Sequence, residues 1–188
     1  MIDNGRQIAH APSPDRHGLT TMPPKNIFLR YLKQLCALID KIEAHAGEEL
    51  GSATLSEDMF PLLSQARIAA NFSLRACCPL AGTEVLSFDN GEVSFAGLKQ
   101  QLNQTIDYLQ ALDIPNADVG AAEVRENAGF AKIAIPVDDY VHSLALPNFF
   151  FHISMVYAIA RSRGVPVSKG DYDGYHSYPQ DFSFVLEK

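Results

Sequence analysis

Several absences narrow this 188-residue chain before any motif is considered. No stretch approaches the run of about 20 apolar residues that a membrane span needs, although apolar residues make up 47% of the sequence. Lys and Arg number 15 against 22 Asp and Glu, a net charge of −7, and the cations form no cluster. Phosphate backbones are bound by clustered cations, so nucleic acid is not an expected partner. Three cysteines make no disulfide framework. Cys77 and Cys78 are neighbours in a helical stretch, where their side chains diverge by about 100°. All three cysteines are expected as buried small residues. There is no Gly-rich phosphate loop, no Cys-x-x-Cys, no Ser-His-Asp order and no pair of carboxylates placed for acid–base work. What remains is one globular domain with a substantial core. Met1 to Lys25 has no apolar signal core, so the expected location is cytoplasmic, away from any membrane.

The apolar periodicity predicts four helices. Phe28, Leu32, Leu35, Ile39 and Ile42 share a stripe that ends by Gly47. Pro61 belongs in a first turn, which sets the start of a second helix and makes Asp58 its expected N-cap. That helix is apolar on two faces, one with Leu62, Gln65, Ile68, Ala69, Phe72 and Ala76, the other with Leu63, Ala66, Ala70 and Cys77. Pro79 and Gly82 close it. Phe88-Asp89-Asn90-Gly91 is turn chemistry, and Ser94 is the expected cap of a third helix, closed by Pro115. The period then changes: Glu123-Val124-Arg125 and Phe130 to Ile135, split by Asn127-Ala128-Gly129, predict a small hairpin that must lean on the bundle. The fourth helix is expected over 137–163, kinked or loosened at Pro147. Residues 1–25 are expected as a disordered leader, 26–174 as the bundle and 175–188 as a tail; everything from Val165 onward is expected as coil over the bundle. These segments together make an all-α four-helix bundle with a small β-hairpin before its last helix.

The fourth helix holds the densest aromatic run, Leu146-Pro147-Asn148-Phe149-Phe150-Phe151-His152. At about 100° per residue, Asn148 and His152 fall on one stripe with Val141, Leu144, Met155 and Ile159. An amide and an imidazole one turn apart among apolar side chains need partners, which makes them either a satisfied network or a site. Leu146, Phe150, Ile153 and Tyr157 lie opposite. That second apolar face must be covered by the hairpin, by the tail with its Phe182 and Phe184, or by a second subunit.

Together with Asp58-Met59-Phe60-Pro61-Leu62, Leu80-Ala81-Gly82, Ser94-Phe95-Ala96-x-Leu98-Lys99 and Lys169-Gly170-Asp171-Tyr172, this run resembles an uncharacterised family within the DinB-like (YfiT-like) metalloenzyme superfamily. The resemblance covers roughly Asn26 to Gly174. It implies an up-down-down-up four-helix bundle, often a homodimer. It also implies a divalent metal on three histidines, one from the second helix and two from a His-x-x-x-His pair on the fourth, in relatives that include thiol-dependent transferases. Here Asn148 stands for the first histidine of that pair, and the second helix offers Asp58 and Gln65 in place of histidine.

Zinc or nickel needs imidazoles that converge to about 2 Å. His142 and His152 are about 15 Å apart along a helix and cannot share an ion. A looser cation site from Asp58 or Gln65 with Asn148 and His152 would suit a hard metal. Alternatively Asp58 caps its helix while Gln65, Asn148 and His152 bond one another. Two functions follow. One is a bundle that binds a small ligand or a partner at Gln65, Asn148, His152 and Asp58, its metal site degenerate. The other is a metal-dependent thiol transferase or hydrolase with His152 as metal ligand or base.

Overall fold

Phe28, Leu32, Leu35, Leu38, Ile39 and Ile42 recur at helical spacing and are buried along one side of helix α1 (Pro24–Ala46). The helix starts two residues before the expected Asn26, because Pro24 lies at a first-turn position where no N–H is required. Gly47, at φ +68°, ends it and returns its N–H to the Glu43 carbonyl. In this computed structural model residues 23–114, 123–179 and 182 are described. The expected leader lies outside them up to residue 22, as do Pro115 and Phe184.

A short 3-10 turn (Glu48–Ser52) leads to α2 (Leu62–Leu80). Both expected faces of α2 are packed: Leu62, Gln65, Ala69, Phe72 and Ala76 on one side, Leu63, Ala66, Ala70 and Cys77 on the other. Burial raises the thiol of Cys77 to about 12 and that of half-buried Cys36 to about 11. Both are protonated at neutral pH and are poor nucleophiles. Ser94 caps α3 (Phe95–Ala111) by accepting from the Gly97 N–H at 3.0 Å. Gln100, Asn103, Asp107 and Gln110 face water as expected, while Gln101 is buried.

The hairpin pairs β1 (Glu123–Ala128) with β2 (Ala131–Pro136) antiparallel, Val124 opposite Ile135. Phe130 lies in the turn beside Gly129 and is fully exposed, not in the second strand. A two-residue turn needs positive φ, which Gly129 supplies at +60°, and the next residue must complete the turn. Val124 and Ile135 at the base lean on the core.

The fourth long helix, α4 (Val137–Ser162), is continuous but not uniform. After Val137–Asp139 it widens into a π segment over Tyr140–Ala145, then is α-helical over Leu146–Ser162. Pro147 explains the widening: its ring would collide with the carbonyl one tight turn earlier, and it has no N–H to offer. The Leu146 N–H therefore reaches back five residues to Val141. With a mean hydropathy of 1.4, α4 is long and apolar enough to cross a membrane, which amends the sequence expectation. In the fold, Phe149, Ile153, Val156 and Ile159 of this helix are spent on the core.

The final segment also departs from expectation. Residues 169–173 form a short helix, α5 (Lys169–Asp173), opened by a reciprocal cap between Ser168 and Asp171. It docks on α1: Lys41 pairs with Asp171 at 2.9 Å, Gln34 donates to the Asp171 carbonyl, and Arg30 to that of Asp173. Tyr172 then meets Tyr31 and Tyr157 edge-on, and Tyr31 meets Phe150. The second face of α4 is thus covered by α1 and α5. Phe182 stacks on Tyr178.

Candidate functional site

Gln65 projects from the first turn of α2, and His152 from the middle of α4, where the two helices pack. Both are buried, at 1% and 8% exposure. The His152 Nδ1 lies 2.6 Å from Gln65 Oε1, and the Gln65 amide nitrogen donates to the Phe60 carbonyl at 3.2 Å. A carbonyl oxygen only accepts, so the Gln65 NH2 must face Phe60 and its oxygen must face the imidazole. His152 therefore carries its proton on Nδ1, and Nε2 holds a lone pair. Burial lowers the pKa of His152 below the usual 6.5, and no charged neighbour contributes. The neutral form prevails at pH 7.

The ring is held by aromatics. Phe72 stacks on it at 5.7 Å and 21°, Phe151 meets it edge-on at 5.2 Å, and the Arg75 guanidinium lies over the Phe72 ring at 4.4 Å. Phe151 and Phe60 remain half exposed or more, at 50% and 59%.

The other two expected site residues are placed differently. Asn148 is half-buried and turns its amide back along α4, donating to the Leu144 carbonyl at 2.8 Å. It compensates the helix around Pro147 and makes no hydrogen bond to Gln65 or His152 among the described residues. Asp58 is exposed and accepts from the Ser56 hydroxyl at 2.9 Å. It does not cap α2, because the N-cap position falls on Pro61, three residues later, and it makes no hydrogen bond to His152 among the described residues.

The residues do not fit the three-histidine metal of the superfamily. Among the described residues no three His, Cys, Asp or Glu side chains converge on a common point. The Nδ1 of His152 is spent on Gln65, and an amide replaces imidazole on α2. His142 is exposed and bonds its own helix at the Asp138 carbonyl.

A second polar cluster escaped sequence reasoning. Arg67, only 8% exposed, binds Asp89 at 2.9 Å, Asn90 at 3.2 Å, Gln101 at 2.7 Å and the Glu92 carbonyl. Gln101 reaches Asn71, which also accepts from Ser87. The network clamps residues 87–92 across α2 and α3. Two surface clefts lie elsewhere, one of about 480 Å³ beside Leu50 and Arg163, the other on the hairpin by Arg125 and Lys132.

With this geometry in view, comparison with known proteins is informative. The family model described as "Domain of unknown function (DUF1993)" matches residues 25–173. The chain is similar to a DinB family member protein from Shewanella denitrificans, known from a crystal structure at 1.83 Å, with 28% sequence identity and a TM-score of 0.72. The match covers 82% of this chain and 91% of that one. No curated protein matches. The chain belongs to the DUF1993 family, an uncharacterised DinB-like domain.

Proposed function

We propose that this protein is a binding bundle whose small-molecule ligand or partner docks at His152, on the α2–α4 seam, where metal-holding relatives place their ion. The observation that carries this is the fixed direction of the hydrogen bonds from His152 through Gln65 to Phe60. A chain of bonds that holds an imidazole in one tautomer leaves its other nitrogen free to receive a donor. We read the bundle as up-down-down-up, the location as cytoplasmic and the protein as a homodimer. Gln65 and Asn148 stand where two metal-binding histidines are expected, so the ancestral site is degenerate.

Metal content of protein purified without a histidine tag tests this directly. The reading expects substoichiometric nickel, zinc and manganese, unchanged in His152→Ala. Stoichiometric metal that is lost in His152→Ala would overturn it in favour of the metal-dependent thiol transferase or hydrolase. Gln65→His with Asn148→His should create metal uptake, measured by isothermal titration with zinc.

A further inference from the structure

A cleft of about 480 Å³ lies at the end of α1, and none of Gln65, Asn148 or His152 lines it. We infer that this cleft binds a small zwitterion of the apolar dipeptide class, with its amino and carboxyl ends both free.

The local fold builds the cleft. Gly47 ends α1, and the 3-10 turn behind it closes as the Ala53 N–H donates to the Leu50 carbonyl at 3.1 Å. Gly51 seats that turn on α2: a Cβ there would lie 2.7 Å from Leu63 Cδ1, so a side chain would displace Leu63. The Leu62 N–H then donates to the Ala53 carbonyl at 2.9 Å, which ties the far end of the turn to the same helix. Arg163, one residue past α4, reaches the Thr54 carbonyl at 3.4 Å. The volume falls within the range of about 300–1,000 Å³ common to small-molecule sites.

Two opposite charges line this cleft without neutralising each other. Glu48 accepts from the Phe95 N–H at 3.2 Å, but the neighbouring Glu49 carboxylate makes no hydrogen bond or ion pair among the described residues. The Arg163 guanidinium gives one hydrogen bond to Thr54, and its remaining N–H donors have no protein partner among those residues. A purely anionic ligand at Arg163 would meet Glu49, and a purely cationic one at Glu49 would meet Arg163. A molecule carrying both charges is attracted at both ends.

The surroundings set its orientation and its body. Ala46 is the last residue of α1, so the negative end of that helix dipole lies beside the cleft and favours the ammonium end there. Leu50 is buried, and Ala46 and Ala53 are half-buried, which gives the ligand an apolar floor.

The test titrates the full 15N-labelled chain with leucyl-leucine, its N-acetyl form and its C-terminal amide. Leucyl-leucine should move the amide resonances of Gly47, Leu50 and Ala53 in a saturable way and leave that of His152 in place. Either cap should weaken binding about fivefold, the upper yield of one solvent-exposed ion pair. Glu49→Gln should erase the difference between the free and acetylated peptides while keeping that between the free and amidated ones. Arg163→Gln should do the reverse, and Arg163→Lys should restore the preference for a free carboxylate. Unchanged resonances outside the cleft serve as the control for folding in each variant. Equal binding of all three peptides, shifts centred on His152, or no saturable shift with any of them would each overturn the proposal.

Discussion

His152 and Gln65 make opposite demands on substitution. In His152→Ala the Gln65 oxygen keeps its burial and loses its donor, at a cost of about 1–3 kcal/mol. His152→Gln can restore a donor to that oxygen, so we expect it to be the milder change, measured by urea denaturation at pH 7.5. The same residue gives the fold an acid sensitivity. Burial disfavours the imidazolium, so between the lowered folded value and the usual 6.5 the unfolded chain binds more protons. Stability is complete above 6.5 and is lost as pH falls through the folded value. The loss between pH 7.5 and 5.5 should be smaller in His152→Gln, where that proton has nowhere to bind; equal losses would show that other groups carry it. The meeting of Gln65 with His152 was legible from two apolar stripes, one carrying Gln65 and the other Asn148 and His152. Asp58 was not, because a capping position moves with the helix start, and Pro61 occupies it. Arg67 was hidden too: a charged residue on a helix is expected in water, and only its four acceptors reveal why it is not.

Among the elements, the 83–94 segment depends most on one side chain. It has no regular structure, and Arg67 ties it down through a carboxylate, a side-chain amide and a backbone carbonyl, with Gln101 of α3 as its fourth acceptor. Arg67→Ala should cost about 3 kcal/mol, because several acceptors lose their donor at once. Limited proteolysis should then cut near Asn90 at rates well above wild type; an unchanged cleavage pattern would mean that Leu86 and Phe88 hold the segment by packing alone. The long helices were readable because a stripe of apolar residues over four or five turns outweighs local exceptions. Short elements were harder. The reciprocal cap of Ser168 and Asp171 is a sequence signal for a helix start, yet with only five residues behind it α5 has no stripe to confirm it. Pro147 signalled a disturbance in α4, but not that the helix would widen ahead of it without breaking.

For the molecule as a whole, the two ends of the bundle behave differently. Residues 1–22 carry no apolar stripe, so deleting them should move the thermal midpoint by less than about 2 °C, where 1 kcal/mol in a domain of this size is worth about 2–4 °C. A larger drop would place them on the bundle. The opposite end is bound tightly. Arg30 reaches the Asp173 carbonyl across 143 residues of sequence, and α5 supplies the cover for Tyr31 and Tyr157. During synthesis, α1 therefore leaves the ribosome on the order of 10 s before its lid exists, at ordinary elongation rates. Once α4 has emerged Tyr31 can meet Phe150, but Tyr31 and Tyr157 still lack Tyr172. Nascent chains arrested shortly after α4 should be captured by chaperones that bind exposed aromatics, and those extended past His176 should be released. The docking of five residues on the first helix thus makes the emergence of α5, and not that of the four long helices, the step that commits this chain to its fold.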